Sequence, residues 1–165
     1  IINAMYDRFR EKAGLDPKAR YNINGMNLSG YSVLKLASII EKETMLDRER
    51  AKVSSVFINR MKSKEAYEKR LESCATVRYA LNKKQGALTY RDLRFESPYN
   101  TYIYIGLPPT PICNPGVKSI EAALRPAVTD YRYFVLRENG EHTFSRTLEE
   151  HNAVVRRNRA LRQGR

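Results

Sequence analysis

The sequence predicts an α+β fold: several helices around a small antiparallel hairpin, joined by long loops rich in Pro and Tyr. Three observations predict it. Apolar residues recur at helical spacing in several separate stretches. A hairpin signal, Asn139-Gly140 between two runs of β-branched and aromatic residues, stands near the C-terminal end. Helical and strand patterns do not alternate as βαβ units, which argues against a parallel α/β sheet.

The elements follow in order. Ile2, Met5, Tyr6 and Phe9 share one helical face within residues 1–13, and Gly14, Asp16 and Pro17 then break the pattern. Residues 21–30, rich in Asn and Gly, read as a loop. Ser32 is the expected N-cap of a helix whose apolar stripe is Val33, Leu36, Ala37 and Ile40. Thr44 and Asp47 form a Ser/Thr-x-x-acid pattern, so Thr44 is expected to cap a second helix. Val53, Val56, Phe57 and Met61 mark its buried face, and it should end near Ser63. Residues 64–70 read as a charged turn or a short helix, and residues 76–82 as a further helical stretch. Residues 96–116 hold five Pro with Tyr99, Tyr102 and Tyr104, too Pro-rich for a helix or central strand. An irregular segment of this length in a small domain is usually functional. Residues 117–124 are a short helix stopped by Pro126. Residues 131–136 and 142–145 form the hairpin, and a last helix starts near Thr147 and runs into an Arg-rich end.

At 165 residues the chain can bury a real core, and 42% hydrophobic residues exclude wholesale disorder. No apolar run approaches the ~20 residues of a membrane span. There is no signal-peptide pattern and no starting Met, so a fragment of a longer protein is expected. Thirty Lys+Arg against eighteen Asp+Glu give a net charge of +12. Such a surface favours polyanions: nucleic acid, anionic lipid or acidic wall polymers. Five Arg and no acid fall within residues 156–165, a basic tail. Cys74 and Cys113 form no CxxC motif, so zinc is not expected, and their pairing stays open.

Glu41 and Glu43 lie roughly 200° apart on a helix, flanking its apolar stripe from opposite sides. A carboxyl in partly apolar surroundings has its charged form disfavoured, which suits a general acid at neutral pH. Boundary glutamates paired with Lys42, Arg48 or Arg50 would show the same pattern, and spacing alone does not choose between the two. Tyr99-Asn100-Thr101-Tyr102 on a Pro-stiffened loop suits carbohydrate, because aromatic faces stack on sugars and amides bond hydroxyl and N-acetyl groups. The same residues could equally pack and satisfy the loop's own backbone. His142 and His151 are expected to satisfy local hydrogen bonds. No nucleophile elbow and no glycine-rich phosphate loop occurs.

Several strings, in order, resemble one family. They are Leu36-Ala-Ser-Ile-Ile-Glu-Lys-Glu-Thr44, Val53-Ser-Ser-Val-Phe-Ile-Asn-Arg60, Ala75-Thr-Val-Arg-Tyr-Ala-Leu81 and Leu88-Thr-Tyr-Arg-Asp-Leu93. Ser97-Pro-Tyr-Asn-Thr-Tyr102, Gly106-Leu-Pro-Pro109, Asn114-Pro-Gly116, Ser119-Ile-Glu-Ala-Ala123, Tyr133-Phe-Val135, His142-Thr-Phe-Ser145 and Glu150-His-Asn152 follow. Together they resemble the catalytic domain of the YceG-like (MltG) family of endolytic peptidoglycan transglycosylases. On that resemblance residues 31–165 are the catalytic domain, and residues 1–30 are a helix and linker leading in from an upstream part.

The resemblance implies cleavage of the MurNAc-β-1,4-GlcNAc bond of nascent glycan strands, leaving 1,6-anhydro ends. It implies Glu43 as a single acid and then base, supported by Glu41 and Glu49. Tyr99, Asn100 and Thr101 are the expected sugar-binding residues, with Thr76, Asn59 and Arg60 lining the cleft or supporting Glu43. No metal or organic cofactor is expected, and no nucleic acid. The implied partners are glycan strands and peptidoglycan synthases. The implied location is the extracytoplasmic face of the bacterial cytoplasmic membrane, with the anchor outside this sequence. Many members have Gln-Ser-Asp-Pro-Thr where this chain has Glu72-Ser-Cys-Ala-Thr76, so an acid there is replaced by Cys74. Two other readings are a muramidase, using Glu43 with a water-activating Glu96 or Asp92, and a basic module that binds wall polymer without cutting it.

Overall fold

Seven helices and two antiparallel strand pairs make up the described residues, 1–163, of the computed structural model. The expected α+β class is what forms. Helix α1 (Ile2–Ala13) ends at Gly14, whose φ of 60° turns the chain while its N–H returns to the Arg10 carbonyl. Phe9 of the predicted stripe packs on the core, whereas Ile2 and Met5 stay exposed.

Residues 21–30 are not a loop. They form most of a hairpin, β1 (Arg20–Ile23) and β2 (Met26–Ser29), in register from Arg20↔Ser29 to Ile23↔Met26. Its two-residue turn has positive φ at both positions, 47° at Asn24 and 83° at Gly25, as the tightest hairpins require. The strands are too short and too polar for their alternation to stand out, but the Asn-Gly pair was the signal. Ala13, Leu15 and Ile23 from this N-terminal region are buried in the same core as the rest of the chain.

Helix α2 (Gly30–Glu43) is the centre of the molecule. Its N-cap is Ser29 rather than Ser32; the Ser29 hydroxyl accepts from the Ser32 N–H at 3.1 Å. Gly30 is required by close backbone approach: a Cβ there would lie 2.0 Å from the Asp16 carbonyl oxygen. Val33, Leu36, Ala37, Ile39 and Ile40 are fully buried. Each larger one contributes about 1.5–3 kcal/mol on burial, so Glu43, the last helical residue, rides on the firmest element.

Thr44 closes α2 instead of opening the next helix. Its Oγ1 accepts from the Leu46 N–H at 3.1 Å, and α3 (Asp47–Lys62) starts after the bend and stops at Ser63 as expected. Turns occupy residues 66–69. Helix α4 (Cys74–Ala80) begins two residues before the predicted stretch, and the short α5 (Tyr90–Leu93) is opened by a Thr89/Asp92 capping box. The Pro-rich segment contains no helix or strand and is tied to α2 where the Ile112 N–H donates to Ser38 Oγ at 3.0 Å.

Helix α6 (Val117–Leu124) packs on α2 and α3. The predicted hairpin is β3 (Tyr133–Leu136) and β4 (His142–Ser145), with Tyr133 opposite Ser145 and Leu136 opposite His142. Only Gly140 of its Asn-Gly pair takes positive φ, at 81°, because the loop is longer than a two-residue turn. Phe134 meets Phe57 of α3 edge-to-face at 5.8 Å, while Tyr133 stacks on His151 at 5.3 Å; α7 (Leu148–Gln163) packs against this sheet. The basic tail runs along α7, and its final residues, 164–165, lie outside the described residues. Cys74 and Cys113 are both free thiols. No helix among the described residues is long and apolar enough to cross a membrane.

Candidate active site

Glu43 stands where two cavities meet. One, of about 530 Å³, is walled by β3, Tyr102, Arg60 and Glu72, with His142 and His151. The other, of about 850 Å³, is walled by Tyr79, Asn82 and four cations, Lys42, Arg78, Lys83 and Lys84. Among the described residues, only Glu43 and Cys74 line both. The carboxyl is therefore reached from either side.

Local structure sets the carboxyl's chemistry. Burial pushes its pKa above the ordinary carboxylate value, against hydrogen bonds from the Ser73 hydroxyl and the Ala75 backbone N–H and the nearby His142, all of which favour the anion. Its place at the negative C-terminal end of α2 disfavours the anion further. The outcome is a carboxyl inclined to hold its proton, with donors already aimed at the anion it becomes. That is the requirement for a group acting first as acid and then as base.

Ser73 is itself held in place. Its N–H donates to Thr101 Oγ1 at 3.0 Å, its carbonyl accepts from Thr76 Oγ1 at 2.8 Å, and the two threonine hydroxyls bond each other at 2.9 Å. On the other side, the buried Glu49 receives both the His142 backbone N–H at 3.0 Å and its ring Nδ1 at 2.7 Å. Burial would raise the Glu49 pKa, but the bonds and charge of His142 outweigh it and hold it below the ordinary value. With its Nδ1 engaged by Glu49, His142 lines the cavity that it shares with Glu43.

The YceG-like family model matches residues 1–157. The chain belongs to the YceG-like family. It is 46% identical over 125 residues to an endolytic murein transglycosylase of Bacillus subtilis, covering 76% of this chain and 34% of that protein. An endolytic murein transglycosylase of Streptococcus pneumoniae is 29% identical over 139 residues, covering 81% and 24%. The chain thus spans about a third or less of the curated relatives it matches. A YceG-like protein from Listeria monocytogenes, solved by crystallography, superposes with a TM-score of 0.72 at 40% identity, covering 92% of this chain and 45% of the other.

In this YceG-like chain the residues singled out by sequence divide into groups. Thr76 and Thr101 are buried and reach Glu43 only through Ser73. Asn100 is fully buried: its Nδ2 donates to the Leu93 and Phe95 carbonyls and its Oδ1 accepts from the Tyr102 N–H, so its amide staples the Pro-rich loop. The Tyr99 ring lies 4.9 Å from Tyr79 and its hydroxyl bonds Thr110 at 2.9 Å, backing one wall of the larger cavity. Arg60 lines the smaller cavity, ion-paired to Glu72 at 2.8 Å and bonded to the Arg70 carbonyl at 2.8 Å. Asn59 is brought elsewhere. It donates to the Thr129 and Tyr131 carbonyls and lines a separate cavity without Glu43.

Glu41 points away from this junction and accepts from Ser119 Oγ at 2.6 Å, the Gly116 N–H at 3.0 Å and Arg50 at 3.4 Å. Those bonds, the Ser119 hydroxyl above all, hold its pKa below the ordinary value against burial, so it ties α2 to α6 as an anion. Tyr102, part of the Tyr-Asn-Thr-Tyr string that suits carbohydrate, does line the smaller cavity with Glu43, whereas Ser73, Tyr79 and the cations beyond α4 carry no sequence signal of their own. Ser73 is thirty positions from Glu43, and no local pattern announces such a contact.

Proposed function

We propose that this chain is the catalytic part of an endolytic murein transglycosylase, cleaving the MurNAc-β-1,4-GlcNAc bond of peptidoglycan strands. One observation carries the reading: a single carboxyl inclined to stay protonated, at the junction of two cavities that together leave room for sugar on both sides of a scissile bond. The names of the relatives support the same reaction. Neutral Glu43 gives its proton to the glycosidic oxygen as the C1–O4 bond breaks. The resulting carboxylate, held by Ser73 and Ala75, takes the proton of the muramyl C6 hydroxyl, whose oxygen attacks C1 and closes the 1,6-anhydro ring. Water is not consumed, and Glu43 ends protonated as it began. Ser73 is a positioning residue here, with Thr76 and Thr101 behind it. Glu49 orients His142 on the opposite wall.

Two features favour this over hydrolysis. Neither Glu96 nor Asp92 lines a cavity with Glu43: Glu96 accepts from the Tyr104 hydroxyl, and Asp92 caps α5 and pairs with Lys83 at 2.7 Å. Glu41 lines neither cavity, its carboxylate being taken up by Ser119, Gly116 and Arg50. Action on murein places the enzyme outside the cytoplasm, beside the synthases that supply its strands. The test is mass spectrometry of soluble products from purified peptidoglycan, with wild type and Glu43→Gln. Anhydromuramyl ends from wild type alone are expected. Reducing muramyl ends would make the protein a hydrolase, and anhydro ends retained in the variant would move the acid to another residue.

A further inference from the structure

The two halves of the cleft differ in chemistry. The smaller half is walled by the aromatic and aliphatic residues of β3, by His142 and His151, and by two arginines that are both already paired, Arg60 with Glu72 and Arg132 with Glu68. The larger half carries Lys42, Arg78, Lys83 and Lys84, and its only acidic lining residue among those described is Glu43 itself. Asp92 offsets Lys83 at 2.7 Å, and Arg78 is steadied by the Gly86 carbonyl at 2.7 Å. Lys42 and Lys84 are exposed and form no ion pair among the described residues.

A glycan's hydroxyl and N-acetyl groups give no reason for such a concentration of positive charge. In murein the negative charge sits on carboxylates, either on the peptide stem of a muramyl residue or, once the stem is removed, on the bare lactyl group. The basic half has about 850 Å³ against about 530 Å³ in the other. Its cations come from three parts of the chain, Lys42 of α2, Arg78 of α4, and Lys83 and Lys84 just beyond α4. We propose that this half is a binding site for the carboxylates of an acidic stem peptide, so that the enzyme selects stem-bearing strands over denuded ones. This rests on the murein reading given above.

Binding is measured apart from chemistry, by fluorescence anisotropy of labelled strands with the Glu43→Gln protein. Three strands are compared: stem-bearing, stripped of stems to expose lactyl carboxylates, and stripped then amidated to remove that charge. Stem-bearing strands should bind best, and added salt should narrow their advantage by screening. Lys84→Ala should weaken their binding about tenfold, as for one lost charge-assisted hydrogen bond. Lys84→Glu should weaken it more, and neither should change binding of amidated stripped strands. Equal binding of all three strands, or equal loss on all three in the Lys84 variants, would overturn the proposal. Stripped strands that match stem-bearing ones and weaken on amidation would assign the site to the lactyl group and overturn the stem assignment. Failure of the murein reading looks different: wild type then releases no muramyl product from any strand, whatever the binding order.

Discussion

Replacing Ser73 with Ala removes one oxygen atom from behind the proposed acid. The residue is 3% exposed, so no bulk water stands ready to replace the hydroxyl that donates to Glu43 Oε1. Its backbone bonds to Thr101 and Thr76 do not involve Oγ, and the start of α4 should keep its place. A hydrogen bond to a charged group contributes about 1.5–3 kcal/mol. The Ala75 N–H remains on the carboxylate, which places the loss near the lower end, about 1.5 kcal/mol or roughly tenfold in rate. The bond is stronger to the carboxylate than to the neutral acid, so the loss falls where Glu43 has given up its proton: kcat drops about tenfold and KM holds. The sign on pH follows from the same bond. Ser73 lowers the Glu43 pKa, so its removal raises it, and the alkaline fall in kcat/KM, where Glu43 loses its proton, moves to higher pH. Initial rates of anhydromuramyl release across a pH series measure both. An unchanged kcat with an unmoved alkaline limb would refute the assignment, and so would a change confined to KM.

Three further outcomes are expected. Glu43→Gln keeps the shape and removes a group whose folded pKa is raised. Wild type loses that group's stabilising contribution as pH climbs from the ordinary carboxylate value through the raised one. The variant should therefore be the more stable at alkaline pH, with the gap closing in acid; urea midpoints at two pH values check this, and a constant gap would deny the burial effect. Asn100→Asp cannot donate to the Leu93 and Phe95 carbonyls and puts a charge in a dry site. It should cost about 3 kcal/mol by denaturant unfolding, whereas normal stability with lost sugar binding would return Asn100 to a binding role. Gly30→Ala sets a methyl 2.0 Å from the Asp16 oxygen, a backbone atom that cannot swing aside; a loss of about 3 kcal/mol is expected, and a Tm like wild type would contradict it.

The helices were legible because their apolar stripes are long. Val33, Leu36, Ala37 and Ile40 announce α2 and do form its buried face. The hairpin of residues 20–29 was not read, because only Ile23 among its strand residues is fully buried and its polar Asn residues look like loop. Thr44 shows why a cap motif locates a break better than it assigns a role: its hydroxyl serves the bend between two helices rather than the start of the second. At the site, periodicity placed Glu41 and Glu43 on opposite flanks without ranking them. What separates them is tertiary: Gly116 and Ser119 bring donors to Glu41 from α6 and its approach, whereas Glu43 is half-buried between two cavities, where desolvation outweighs its donors. Asn100 has the residue type of a sugar ligand and the surroundings of a staple, and only its buried partners distinguish the two.

Among the described residues the cleft's two halves share just Glu43 and Cys74 as lining residues, with β3 and His151 on one side and Lys83 and Lys84 on the other. Changes on β3 or at His151 should therefore combine additively with changes at Lys83 or Lys84, since distant sites with no shared partner do not couple. Divergence can then retune one end of the bound polymer while leaving the other end and the proton chemistry intact. A change at Cys74 has no such freedom, because it alters both ends at once.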